Sequence, residues 1–274
     1  MNPSHGDRVF SDSVAQLYEQ YMVPLIFEPY ADDLTARLAA LRPSAVLEIA
    51  AGTGVVTRHM AARLPADVSI VATDLNQPML DHAMRIGTSR AVTWQQADAM
   101  SLPFDDASFD AVVCQFGAMF FPDKAAAFAE AWRVLRPGGT FLFNVWDRIA
   151  DNEFADCVTE AMAGLFPSDP PRFLARLPHG HYDRSAIANA LVEGGFTGAT
   201  VFDTVTAQSR ADSPRTVAIA YCQGTPLRNE IEARDGSILS EATDIAAAAL
   251  GQRFGVGPIT GKIQALVVAA ARDA

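Results

Sequence analysis

The chain has few of the residues on which several common functions depend. Its three cysteines, Cys114, Cys157 and Cys222, are odd in number and far apart. No CxxC pair or zinc-type spacing occurs, which argues against a disulfide framework and a structural zinc. Lysine is nearly absent, with only Lys124 and Lys262, and the 21 basic residues face 32 acidic ones for a net charge of -11. Binding to a phosphate backbone rests on massed Lys and Arg, so a nucleic-acid partner is not expected. Residues 1–150 carry 11 basic against 17 acidic residues and the remainder 10 against 15. The charge is therefore evenly spread and speaks to solubility rather than to a partner surface. Long apolar runs are missing too. Stretches such as Ala246–Leu250 and Ala265–Ala271 fall well short of the roughly 20 residues needed to cross a bilayer, and the start of the chain has no leader pattern. These absences lead to the expectation of a cytoplasmic protein, a monomer or homodimer, without a membrane partner.

What is present is a foldable chain of 274 residues, half of them hydrophobic, enough for one domain with a sizeable core. Residues 12–41 have helical spacing, interrupted by Pro24 and Pro29. Short apolar runs then alternate with helical segments. Strands are expected at 45–50, 68–73, 91–95, 109–114 and 140–146, the last after a Pro137-Gly-Gly turn, with helices at 55–64, from 76 and at 123–135. This alternation predicts an α/β fold with a doubly wound, mostly parallel sheet. Beyond Asp147 the alternation lapses into helices and loops. A helix at 183–193 follows, closed by Gly194-Gly195, then a strand at 199–206 and a mostly helical stretch at 213–251. The Ala-rich run 263–270 reads as a last strand or as a helix.

The most informative residues are Glu48-Ile-Ala-Ala-Gly52-Thr-Gly54, directly after the first strand. Glycines there let the backbone approach a ligand where a side chain would collide. A dinucleotide fingerprint starting at Gly52 needs a third glycine at 57, where the chain has Thr57; a nicotinamide enzyme is disfavoured. Asp74 ends the second strand, placed to accept hydrogen bonds from ribose hydroxyls. Asp98, followed by Ala99 and Met100, lies past the third strand, where an adenine edge would lie. Three carboxylates at successive strand ends suit a ligand with an ammonium, a ribose and an adenine but no phosphates. S-adenosylmethionine fits that description.

Taken in order, Val46-Leu-Glu-Ile-Ala-Ala-Gly-Thr-Gly-Val55, Ala72-Thr-Asp-Leu75, Gln96-Ala-Asp-Ala-Met-Ser-Leu-Pro-Phe104, Phe109-Asp-Ala-Val-Val-Cys-Gln115 and Val134-Leu-Arg-Pro-Gly-Gly-Thr140 resemble the motifs of class I S-adenosylmethionine-dependent methyltransferases. The likeness is greatest to the small-molecule branch that includes ubiquinone and menaquinone C-methyltransferases. The resemblance implies a seven-stranded Rossmann-like sheet in a single domain, 1–274. It would comprise an N-terminal helical gate (1–42), a cofactor-binding core (45–147), a substrate cap (148–182) and a C-terminal part of the sheet with a helical insertion (183–274). It also implies that Gly52 and Gly54 pass under the methionine part, that Glu48 faces its ammonium directly or through water, and that Asp74, with Leu75 beside it, holds the ribose. Met79 would cover the adenine, Asp98, Ala99 and Met100 would read its edge, and Gln115 would sit near the methyl donor. Ala50 stands where the family usually has glycine.

Methyl transfer from a sulfonium is an in-line displacement with an already activated donor, and a base is needed only when the acceptor is poorly ionised. His179 and His181, in Leu177-Pro-His-Gly-His-Tyr182, are the best candidates for one, and no carboxylate or cysteine pattern completes a metal site around them. Phe116, Met119, Phe120 and Phe121 follow strand four and Trp146 ends strand five, so an apolar, planar acceptor is expected at the strand tips, with Tyr18 and Tyr21 as a gate. Cys114 reads as a small buried residue rather than a nucleophile. The expected function is methyl transfer to a small-molecule acceptor; the alternative is a catalytically silent protein that binds the same cofactor.

Overall fold

The computed structural model describes residues 12–273; the first eleven residues of the expected gate and Ala274 lie outside them. Helix α1 (Asp12–Leu17) runs into a π-helical stretch, Tyr18–Phe27, and on into α2 (Glu28–Leu41). Pro24 sits inside that stretch, and the Glu28 amide donates to the Val23 carbonyl across the wider turn. Proline has no amide to donate and crowds the carbonyl four residues back, so a wider helical register accommodates it without a break. The expected interruption at Pro24 is thus a change of register. Pro29 lies in the first turn of α2, where its missing amide is harmless.

The core alternates as the sequence predicts: β1 (Ala45–Glu48), α3 (Val55–Arg63), β2 (Ser69–Asp74), α4 (Gln77–Ile86), β3 (Thr93–Gln96), β4 (Phe109–Gln115), α5 (Lys124–Val134) and β5 (Leu135–Trp146). The second half adds α6 (Glu153–Leu165), α7 (Phe173–Arg176), α8 (Arg184–Glu193), β6 (Thr200–Ala211), α9 (Pro214–Gln223), α10 (Leu227–Arg234), α11 (Leu239–Phe254) and β7 (Ile259–Ala271). All seven strands form one sheet in the order β3-β2-β1-β4-β5-β7-β6. The first five are parallel, and β7 runs antiparallel to both β5 and β6. The protein therefore has the expected seven-stranded, mostly parallel α/β sheet.

Two boundaries in the sheet move substantially from those expected, and the run left open between strand and helix is settled. Strand β5 begins at Leu135, because the Pro137-Gly-Gly stretch is a bulge within it. Gly138 takes φ +80°, and the register against β4 shifts between Phe109 and Ala111. The Ala-rich run near the C-terminus is a strand. Flanked by β5 and β6, it gains ladder bonds on both sides, whereas its small side chains give a helix no broad apolar face. Strand β6 extends to Ala211, paired residue by residue with β7.

The registers bring the carboxyl ends of β1, β2 and β4 to one edge of the sheet, with Glu48 opposite Ala72 and Val113. The strand order reverses between β1 and β4. In open α/β sheets that crevice is where ligands bind. Helices α6 and α7 follow β5, and α9–α11 lie between β6 and β7, so two separate insertions reach this end of the sheet.

Candidate active site

The turn after β1 is held in a shape few residues adopt. Ala50, Gly52 and Gly54 have φ of +55°, +57° and +83°. The Ile49 amide bonds to the Val113 carbonyl, the Ala51 amide to Thr73 and the Gly54 amide to Ala51. The two glycines do different work. A β-carbon on Gly52 would meet nothing within 4 Å, and Gly52 lies on the wall of a pocket. A β-carbon on Gly54 would strike the Trp94 ring at 2.9 Å and Ala83 at 3.2 Å. Gly54 is absent from the wall and serves packing of α3 against β3 and α4.

Asp74, at the end of β2, is buried with its carboxylate at the same pocket. One oxygen accepts the Gly52 amide and the other the Asn76 amide, each at 2.8 Å. Burial pushes its pKa upward, opposed by these backbone donors. The pocket, about 810 Å³ including its open mouth, is completed by Ala50, Leu75, Met79, Ala97, Asp98, Ala99, Gly117, Phe120 and Phe121, among others. Asp98 is fixed by accepting the Met100 amide at 2.9 Å.

Several expected residues lie elsewhere. Glu48 is not on the pocket wall; its carboxyl is buried and accepts the Thr57 hydroxyl. Burial pushes its pKa up to about 8, against the opposing effects of Thr57 and Arg58. Gln115 is turned away as well. Its Nε2 donates to the Phe27 carbonyl at 3.3 Å, tying β4 to the N-terminal helix. Met100 contributes its amide to the Asp98 turn and packs against the core. Tyr21 is half-buried against the core and lines neither pocket, whereas Tyr18 lines both. Cys114 is buried and its thiol is pushed up to about 12 by burial, in keeping with a packing role.

A second pocket of about 600 Å³ adjoins the first, sharing Tyr18 and Phe120 with it. Its wall is aromatic. Phe116 and Trp146 stack with centroids 3.8 Å apart and planes 5° from parallel. Tyr30 meets both edge-on, and Phe27 tilts against both. Such contacts fix the rings as a rigid plate. Phe116 itself has φ +52°, held because its amide donates to Asn144 twice, to the side-chain oxygen at 2.9 Å and to the backbone carbonyl at 3.2 Å. His179 borders this pocket, its ring 5.9 Å from that of Trp146. His181 does not. It lies near Lys124 and Asp183, partly buried, so the two histidines do not act together.

Tyr221 and Thr225 from the second insertion and Phe27 also stand on this wall, as do Asn152 and Phe173 from the expected cap segment, none of them singled out by the sequence. No local signal marks them, since tertiary folding alone brings them together. Asn144 had a signal: a polar residue inside Thr140-Phe-Leu-Phe-Asn-Val-Trp146 interrupts an otherwise apolar strand.

The described geometry fits S-adenosylmethionine. Gly52 leaves open the space that a β-carbon would fill, Asp74 presents a carboxylate oriented by two amides, and Met79 with Ala97–Ala99 forms a slot beyond it. Comparison with known proteins agrees. A methyltransferase-domain family model matches residues 47–143. The ubiquinone/menaquinone biosynthesis C-methyltransferase UbiE of Pseudomonas aeruginosa is 32% identical over 180 residues, 61% of this chain and 70% of that protein. The chain belongs to the class I S-adenosylmethionine-dependent methyltransferases. A demethylmenaquinone methyltransferase of Deinococcus radiodurans is 42% identical over 106 residues, 38% of this methyltransferase but only 44% of that relative. Among solved structures, the YcgJ protein of Bacillus subtilis aligns with a TM-score of 0.56 at 19% identity, over 90% of this methyltransferase and 99% of that chain. A Haemonchus contortus phosphoethanolamine N-methyltransferase holding S-adenosylhomocysteine aligns at 0.55 and 18%, over 97% and 59%. These two likenesses are of fold. The enzyme is thus an S-adenosylmethionine-dependent methyltransferase of the small-molecule type.

Proposed function

We propose that this enzyme transfers a methyl group to an apolar, planar small molecule held in the aromatic pocket. The observation that carries this reading is the junction of the two pockets: Tyr18 and Phe120 border both, so a cofactor in one and an acceptor in the other meet there. When bound, S-adenosylmethionine supplies an activated methyl group on a sulfonium. Asp74 would hold the ribose, Asp98 and Ala99 the adenine edge, and Met79 and Leu75 its face, with Gly52 beneath the methionine part. Glu48, buried behind the turn with its carboxyl on Thr57, would reach the ammonium through water rather than directly.

The protein's own contribution is alignment and exclusion of water. The Phe116–Trp146 plate offers a flat apolar surface, and the insertions carrying Phe173 and Tyr221 cover it. Helix α9 touches the π-helical stretch through this region, so the N-terminal helix, the α6–α7 cap and the later insertion together shape the acceptor space. The acceptor wall is thus shared between the segment 148–182 and residues 221–226. The silent-protein alternative has no blocked cavity to support it, since the pocket is open.

Two measurements test the reading. Titration calorimetry with S-adenosylhomocysteine is expected to show binding that Asp74→Ala weakens roughly tenfold or more, through loss of charge-assisted hydrogen bonds; unchanged affinity overturns the ribose role. Transfer of label from methyl-labelled S-adenosylmethionine into metabolite extracts identifies the acceptor. Label entering only macromolecules overturns the small-molecule reading.

A further inference from the structure

The wall of the aromatic pocket includes few polar side chains, and most of their hydrogen-bonding capacity is spent within the protein. Asn152 donates to the carbonyls of Asp147, Arg148 and Gln264 and accepts the Gln264 amide. Thr225 donates to the Tyr221 carbonyl and accepts the Leu227 amide. Two atoms on the wall keep their capacity, with no partner among the described residues: His179 Nε2 and the Tyr221 hydroxyl. No carboxylate, lysine or arginine lies on this wall among the described residues.

The state of His179 follows from its one hydrogen bond. Nδ1 lies 2.9 Å from the Asp147 carbonyl. A carbonyl only accepts, so Nδ1 carries the proton and Nε2 presents a lone pair. The anchor is rigid: Asp147 follows β5 directly, and its amide donates to Gln264 of β7. The imidazole is buried, and burial lowers its pKa to about 4, so it is neutral at ordinary pH. A neutral acceptor nitrogen in an apolar, uncharged pocket calls for a ligand that is itself neutral and donates a hydrogen bond. An ammonium would find no counter-charge there, and a carboxylate would find no cation.

We propose that His179 is the proton acceptor of the methyl transfer and that it selects a neutral planar acceptor bearing a hydroxyl, held by an O–H···Nε2 hydrogen bond. The inference rests on the methyl-transfer reading and deepens it. As the acceptor oxygen forms its bond to the methyl carbon, the carbon–sulfur bond breaks and its electron pair stays on sulfur as a thioether. The hydroxyl proton passes to Nε2 and is later released to solvent. A weak base suffices, because the oxygen becomes strongly acidic only as it gains the methyl group, so the proton moves in the transition state.

The test uses 1-naphthol and its methyl ether, 1-methoxynaphthalene, which share the planar ring. The ether lacks the hydroxyl proton and is larger by one methyl group, and His179→Phe, which keeps a ring at that position, controls for the added bulk. Each is titrated into the full-length protein, with S-adenosylhomocysteine binding measured in parallel. The wild type is expected to favour naphthol by about tenfold, one hydrogen bond to a buried acceptor. His179→Asn keeps a donor for the Asp147 carbonyl but removes Nε2, and is expected to abolish the preference while leaving S-adenosylhomocysteine affinity unchanged. His179→Phe serves as a second variant with the ring retained. Tyr221→Phe is expected to keep the preference. The proposal is overturned if the wild type shows no preference, if both His179 variants retain it, or if Tyr221→Phe alone loses it. Failure of S-adenosylhomocysteine to bind would sink the cofactor reading separately, with the naphthol preference still reporting on His179.

Discussion

Ala50 and Gly117 face each other so closely that a β-carbon on Gly117 would lie 2.5 Å from that of Ala50. The Ala50 methyl fills space that a glycine at 50 would leave open, and Gly117 gives that space back. Ala50 also holds a left-handed φ of +55°, which costs an L-residue about 1–2 kcal/mol. Ala50→Gly is therefore expected to raise stability by about 0.5–1 kcal/mol, the strain relieved less the added chain entropy of glycine. Gly117→Ala is expected to destabilise strongly, since Cys114 Sγ would also lie 2.8 Å away. A double-mutant cycle by urea unfolding should show positive coupling, with Ala50→Gly recovering part of the loss.

The two glycines of the turn should fail in different ways. Gly52→Ala meets open space but must hold a left-handed φ of +57°, so it is expected to cost only the backbone strain of about 1–2 kcal/mol while weakening S-adenosylhomocysteine binding at least tenfold, because the new methyl enters the pocket. Gly54→Ala drives a methyl into Trp94 and Ala83, and its main effect should be a lower Tm. Calorimetric Tm and affinity measured on both variants separate the two outcomes; equal effects on both quantities would count against the distinction.

Glu48 makes stability fall as pH rises. Its folded pKa, about 8, exceeds that of an unfolded carboxyl. The stabilisation is thus fully present below roughly pH 4.5 and is lost up to about pH 8, because the folded state holds the extra proton in that window. His179 acts in the opposite sense: its folded pKa of about 4 lies below the unfolded value, so stability is lost as pH falls from about 6.5 to 4. Between about 6.5 and 8 the Glu48 effect stands without that opposition. Glu48→Gln retains an acceptor for the Thr57 hydroxyl and is expected to flatten the decline in urea-unfolding stability from pH 6.5 to 8; a slope matching the wild type would refute the assignment.

Asn144 holds Phe116 in its left-handed conformation through the 2.9 Å bond from the Phe116 amide. Asn144→Leu is expected to cost about 0.5–1.5 kcal/mol, one hydrogen bond, since the Phe116 amide keeps the backbone carbonyl of residue 144 at 3.2 Å as a second acceptor. It should also weaken binding of 1-naphthol and 1-methoxynaphthalene alike, since the plate that both would lie on loses its support. Loss of preference between the two probes, without loss of affinity, would contradict this role.

Much of the cofactor half was legible in the chain. Strand ends, the glycine turn and the carboxylates of Asp74 and Asp98 are local features, and short-range periodicity reports them. Even there, the different surroundings of the two glycines and the hydrogen bonds that hold Glu48 and Gln115 off the pocket wall are not visible in the local sequence. Side-chain direction at a strand end depends on the neighbouring element: Thr57 of α3 claims Glu48, and the Phe27 carbonyl claims Gln115.

By itself, the sequence determined the alternating parallel sheet, the position of the cofactor turn and the family, because each follows from residues close together in the chain. The aromatic residues after β4 and at the end of β5 already marked the strand tips as the acceptor end, but tertiary structure alone decided what closes the pocket there. It joins Phe27, Phe116, Trp146, His179 and Tyr221, which are scattered over nearly 200 positions and meet only when β7 inserts between β5 and β6 and draws both insertions over the strand tips. It also separated His179 from His181, two residues apart in the chain. The Asp147 carbonyl orients one toward the pocket, while the backbone carries the other away toward Lys124.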